Sequence, residues 1–460
     1  MHVVVVGGGI SGLAAAVEAA RLGARVTVLE GSARLGGKVA VSKVGGVAVD
    51  EGADAMLTRV PDGIALARDA GLAAELVAPA SGQAFVWSRG ALRPLPTGTL
   101  LGLPTDLAAL ARSGLLSGCG LNRVPLDLVL PGRPVDADVS VGDLVARRFG
   151  REIVERLVDP LLGGVYAGRA HDLSLRATLP QLAAPAARHR SLLLAARAAR
   201  AATPQTDGPL FTSLPGGLGR LPGAVAAASG AEIRLRATVR ELSRTPRGWR
   251  LILGSAASPE QLEADAVVLA VPAAPASRLL TGTVPTAAAE LARIEYASVA
   301  IVTLVLDGPV SGATGSGYLV PAVEGRTTKA VTFSSRKWAH LAGPRSVVRA
   351  SVGRAGETAD LQRPDDELVR IVLAELAETV GPLPRLVDSR VTRWGGGLPQ
   401  YAVGHPDLVR RVREAVAQHE GLAVAGAAYD GVGVPACARS GREAAGVALA
   451  HNGAHDRDPG

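Results

Sequence analysis

Val3-Val4-Val5-Val6-Gly7-Gly8-Gly9-Ile10-Ser11-Gly12 is the stretch whose reading decides the fold. Four consecutive valines predict a buried strand. Gly7, Gly9 and Gly12 then spell GxGxxG. Gly7 permits the tight turn, Gly9 lets backbone approach a pyrophosphate, and Gly12 lets the following helix pack closely on the sheet. Ser11 to Leu22 reads as that helix, ended by Gly23, and Arg25 to Glu30 as a second strand. Together they predict a βαβ unit with a right-handed crossover. The free N–H groups and positive dipole of the helix N-terminus suit phosphates, with Gly8, Ile10 and Ser11 part of the same cradle. Glu30, followed by Gly31, lies 18 residues after Gly12, where a carboxylate accepts both ribose hydroxyls.

Composition bounds the rest. The 460 residues are 48% hydrophobic and 20% charged, enough for two or three domains and against wholesale disorder. Two cysteines, Cys119 and Cys437, exclude a disulfide scaffold or multi-cysteine metal site and fit a reducing compartment. Of the 49 basic residues only Lys38, Lys43, Lys329 and Lys337 are lysine, leaving 45 arginines spread along the chain. A net charge of +7 so distributed reads first as a solvated basic surface, and it suits an acidic substrate. With 3% aromatics and no long basic block, a nucleic-acid partner is not expected. No secretory signal or spanning segment is visible, so the expected location is the cytoplasm, with peripheral membrane contact left open. Of the eight histidines only His451 and His455, in the polar tail, stand four residues apart, and no metal is expected.

The expected architecture is α/β, α+β overall: a Rossmann-like domain, a β-sheet substrate domain and a mostly helical layer. Residues 1–80, 212–282 and 418–455 read as the nucleotide-binding domain, 81–96 and 283–417 as the substrate domain, 97–202 as the helical domain, and 451–460 as a flexible tail. Helices are predicted over Asp106 to Leu116, Val141 to Phe149, Ser191 to Ala202, Asp365 to Val380 and about Ala436 to Ala450. Strands are predicted within 230–240 and 249–253, and over 266–270, 296–306, 317–333, 346–352 and 422–426.

Arg34-Leu35-Gly36-Gly37-Lys38 follows directly after Glu30. A second glycine pair admits an extended cofactor, and Arg34 and Lys38 can meet phosphate charge. Joined to the first fingerprint, this resembles the FAD-containing amine oxidase superfamily. The resemblance places Val239 beside adenine and makes Ala266 to Pro272 a return strand. It also brings Gly426 and Gly431-Val432-Gly433-Val434-Pro435 to the flavin, with Pro435 at the first position of the last helix.

More specific stretches follow: Asp159-Pro160-Leu161-Leu162-Gly163-Gly164-Val165-Tyr166-Ala167-Gly168, Leu173 to Pro180, Leu214 to Leu218, Gly317 to Pro321, Phe333 to Ser335 and Trp394 to His405. In this order they resemble the protoporphyrinogen/coproporphyrinogen oxidase family, of the Gram-positive bacterial coproporphyrinogen III oxidase type. The chain departs from it with Ala53 for a frequent proline, Ala436 for a frequent acid and Trp338 for a usual phenylalanine.

The resemblance implies FAD-dependent oxidation of a porphyrinogen in haem biosynthesis, with molecular oxygen as acceptor and hydrogen peroxide as product. It adds Gly52, Ala53, Asp54, Ala55 and Trp394 to the cofactor contacts. Gly317, Leu319 and Trp338 would border the macrocycle, and Arg59 would hold a propionate. Coproporphyrinogen III is the favoured substrate, protoporphyrinogen IX the alternative, and ferrochelatase a partner for product hand-off. A non-catalytic FAD-binding scaffold of the haem pathway is the alternative of another class. No catalytic base is assigned, because hydride removal needs positioning and a flavin more than a nucleophile.

Overall fold

The computed structural model describes residues 1–203 and 208–450. The predicted tail over 451–460 lies outside the described residues. The first strand, β1 (His2–Val6), is central in a five-stranded parallel sheet. On one side it pairs with β2 (Arg25–Leu29), which pairs with Glu232–Arg234. On the other it pairs with Ala266–Leu269, which pairs with Leu422–Val424. Val3, Val4 and Val5 are fully buried, as expected of a parallel strand covered on both faces.

One face packs Val3 and Val5 against alanines of α1 (Ile10–Arg21) and of the last helix, Val434–Ala450. Small residues let these helices approach closely: a Cβ added to Gly441 would lie 2.0 Å from Ser11 O. The last helix begins at Val434 rather than near Ala436. Pro435 is therefore its second residue, not its first, and its missing N–H still falls in the first turn. The other face packs Val4 and Val6 against Trp249, Leu279, Leu291 and Val412. The helices Pro285–Ala292 and His405–Ala417 thus share a core with β1.

A second sheet has seven strands in the order Leu386–Pro399, Tyr296–Leu306, Ser346–Val352, Thr328–Phe333, Gly317–Leu319, Ala84–Ser88 and Ala91–Pro94. Only the pairing of Gly317–Leu319 with Ala84–Ser88 is parallel. The stretch 317–333 is two strands separated by a 3₁₀ turn at Ala322–Glu324. The helical layer holds Leu107–Ser113, Val141–Phe149 and Leu192–Ala202, N-capped by the side chains of Asp106, Ser140 and Ser191. The helix expected to Leu116 stops at Ser113, because Gly114 takes a left-handed conformation. The Asp159–Tyr166 helix follows a π-helical turn at Val154–Val158 and ends on Ala167, a buried non-glycine residue at φ +53°.

Candidate functional site

The turn after β1 is built for close backbone approach. Gly7 sits at φ +112°, and a Cβ there would come within 2.5 Å of Ala270 O. A Cβ on Gly12 would lie 1.8 Å from Gly7 O. Gly9 has no such neighbour within 4 Å, so its backbone faces open space. Glu30, just beyond β2, is clamped at the rim. Gly8 N–H donates to one carboxylate oxygen at 2.7 Å and Ser32 N–H to the other at 2.8 Å. Ala237 N–H donates to Glu30 O, and Thr238 borders Gly31, so the chain entering Val239 passes beside this carboxylate.

The second glycine pair joins the first. Gly36 N–H donates to Gly8 O, and the ideal Cβ of Gly37 would meet Gly9 Cα at 3.5 Å. Arg34 does not leave its guanidinium open: it donates to Leu35 O and Gly37 O and lies over the Trp394 ring at 5.6 Å. Lys38 differs. Burial pulls its ammonium below the ordinary lysine range, and no anion engages it among the described residues.

The 50s segment enters from the other side. A Cβ on Gly52 would lie 1.9 Å from Lys38 O and 3.5 Å from Trp394, whose indole N–H donates to Glu51 O at 2.9 Å. Ala53 N–H donates to Lys38 O, and Ala55 follows half-buried. Asp54 accepts from Lys337 Nζ at 2.8 Å and from the Trp338 indole at 3.3 Å, with Arg349 at 3.6 Å. Burial would raise its pKa, but Lys337 and Arg349 outweigh burial and hold it well below the usual carboxylate range. Next to it, Asp50 is pushed up to about 6 by burial, against the pull of Gly219 N–H and Arg349.

The C-terminal turn closes the constellation. Val434 packs in one cluster with Ile10, Leu13 and Met56. Gly426, at φ +136°, has open space before it. Tyr401 Oη accepts from Gly431 N–H and donates to Ala427 O, which fixes the loop carrying Val432 and Gly433. His405 stacks on Tyr401 at 4.1 Å and meets Tyr429 O, as a structural histidine does.

The proposed substrate residues are placed unevenly. Arg59 is exposed beyond the 50s segment, and Leu319 is half-buried. Gly317 is buried at φ +150°, where a Cβ would strike Val331 O, so its backbone geometry is what needs glycine. Trp338 is only 2% exposed and turned to Asp54, so it backs that carboxylate and offers no open face. Lys337, Arg349 and Asp50 were not singled out from sequence. Their signal is tertiary pairing, across 283 residues for Lys337 and Asp54 and 169 for Asp50 and Gly219, invisible to local pattern.

An FAD fits this arrangement. Open glycines at Gly9 and Gly426 would be filled by any side chain, the Glu30 carboxylate is fixed where a ribose is expected, and a half-buried ammonium lacks an anion. Residues 10–449 match the family described as flavin containing amine oxidoreductase, and the chain belongs to that family. It is an FAD-dependent oxidoreductase. Among its relatives, the coproporphyrinogen III oxidase of Mycobacterium tuberculosis H37Rv is 38% identical over 437 residues, covering 94% of each chain. That of Bacillus subtilis 168 is 34% identical over 469 residues, covering 98% of each. A crystal structure of a protoporphyrinogen oxidase candidate from Exiguobacterium sp. 255-15 matches with TM-score 0.85 and 34% identity, over 96% of this chain and 97% of that one.

Proposed function

We propose that the protein oxidises coproporphyrinogen III to coproporphyrin III, with molecular oxygen as electron acceptor and hydrogen peroxide as product. The observation that carries this reading is near full-length similarity to coproporphyrinogen III oxidases, on a chain that keeps an open FAD cradle. Bound FAD supplies a hydride acceptor. The chain's own contribution is to orient: Glu30 and the glycine turns hold the adenosine end, and Gly52 to Ala55 with Gly426 to Val434 border the flavin end. Leu319 flanks the macrocycle and Arg59 meets a propionate as a bidentate fork.

Residues 1–80, 212–282 and those from 418 on form the proposed nucleotide unit, a reading supported by its shared core, on which the helices Pro285–Ala292 and His405–Ala417 also pack. The substrate sheet and helical layer lie between. No helix of the described residues is long and apolar enough to cross a membrane. We place the enzyme in the cytoplasm, handing product to a ferrochelatase.

The test is porphyrin fluorescence growth in air from coproporphyrinogen III against protoporphyrinogen IX, with peroxide measured alongside. A clear preference for the tetracarboxylate is expected. Equal efficiency on both would refute the selectivity, and no turnover of either would favour a non-catalytic flavoprotein. In Arg59→Ala the KM for coproporphyrinogen III should rise by no more than about fivefold with FAD content intact, since an ion pair at an exposed arginine is worth about 0.2–1 kcal/mol.

A further inference from the structure

Lys329 is a buried cation facing a second cation. It lies on the Thr328–Phe333 strand, is 7% exposed, and its backbone carbonyl accepts from Val320 N–H. No anion or acceptor engages its ammonium among the described residues. Burial, and after it the Arg354 guanidinium, push Lys329 down to about 7. Arg354 itself is spent on Arg326 O, Val320 O and the half-exposed Glu357.

Both basic side chains line a cavity of about 10 Å³ whose other walls are Asp159, Pro160, Val320, Ala322 and the glycines Gly163, Gly164 and Gly168. Asp159 does not neutralise Lys329. It accepts from Ala170 N–H at 2.7 Å and faces Arg169 at 3.7 Å. A burial this unfavourable is compensated when an anion arrives. The space holds one water-sized group, such as one oxygen of a carboxylate. Its glycine wall adjoins Leu319, the residue proposed to flank the macrocycle: a Cβ on Gly164 would touch Leu319 at 3.6 Å.

We infer that the Lys329–Arg354 cavity, roofed by Gly163, Gly164 and Gly168, is a second carboxylate subsite that receives one propionate of the substrate. This rests on the proposed reaction and adds to Arg59 a contact on the substrate sheet. The tetracarboxylate fills both positions.

The FAD-loaded enzyme titrated with coproporphyrin III, read by porphyrin fluorescence, tests it. Lys329→Met keeps the chain length and removes the charge. Its Kd should be weakened about 10-fold, and the KM for coproporphyrinogen III raised similarly with kcat changed less than threefold. Docking an anion raises the lysine pKa, so wild-type binding takes up a proton above pH 7 and weakens from pH 7 to 9. The variant should lose that slope. Asp159 and Arg354 line the same cavity, Arg169 and Glu357 pair with them, Glu375 acts on Arg354 from further off, and all five remain in both proteins. A wild-type affinity flat over this range, or a variant with unchanged Kd, overturns the subsite even if Lys329→Met folds poorly. If wild type oxidises coproporphyrinogen III and the variant matches it, the subsite alone falls. If wild type neither binds nor oxidises the tetrapyrrole, both readings fall.

Discussion

Glu30 is oriented by two backbone N–H groups, those of Gly8 and Ser32. Such preorganisation makes its removal a loss of binding more than of folding. Glu30→Ala should weaken FAD by about 1–3 kcal/mol in a flavin titration, and unchanged affinity would reject the ribose assignment. Asp50 behaves oppositely. Its folded pKa, about 6, lies above the ordinary 3.8. Its favourable contribution is therefore complete below about pH 4 and lost as pH rises through about 6. The stability of wild type relative to Asp50→Asn should fall by roughly 1–3 kcal/mol between pH 4 and pH 7, since one pKa unit is about 1.4 kcal/mol. Denaturant midpoints at the two pH values measure it.

At the scale of elements, the contact of α1 with the last helix joins two ends of the cofactor cradle. Gly441→Val would press a side chain into Ser11 O, 2.0 Å from the ideal Cβ. Overpacking there should cost about 1–3 kcal/mol and loosen FAD together with it. Thermal melts with and without added flavin separate the two effects. Elements with continuous apolar runs or clear caps were legible from sequence: β1, Tyr296–Leu306, Ser346–Val352 and the helix Asp365–Val380. The 14-residue strand Leu386–Pro399 was not, because Asp388, Arg390, Arg393 and three consecutive glycines interrupt its pattern. Its order comes from pairing with Tyr296–Leu306. Ser258–Ala264, equally polar, is likewise held by its hairpin partner. The glycine turns and Glu30 could be read because their chemistry is local. Asp54's pairing with Lys337, and the isolation of Lys329, needed the folded chain.

At the scale of the whole molecule, the proposed cofactor site draws on segments near residues 7–12, 30–38, 52–55, 237–239 and 426–434. A ligand touching all of them binds the folded state alone. FAD at about 100 times its Kd should add about 2.7 kcal/mol to stability. For a chain of this length that is a melting shift of roughly 2–3 °C. An unshifted melt on titrating apoprotein would argue against a cradle assembled this way.

The strand order of the parallel sheet also constrains how the chain can be made. β1 leaves the ribosome early, but its neighbour Ala266–Leu269 follows some 260 residues later, and the edge strand Leu422–Val424 later still. At translation speeds of about 5–20 residues per second, Val3 to Val6 wait roughly 13–50 s with one flank unpaired, held only by β2 and α1. The sheet is completed outward, from a centre laid down first to a rim delivered last, so nascent-chain handling is written into its topology.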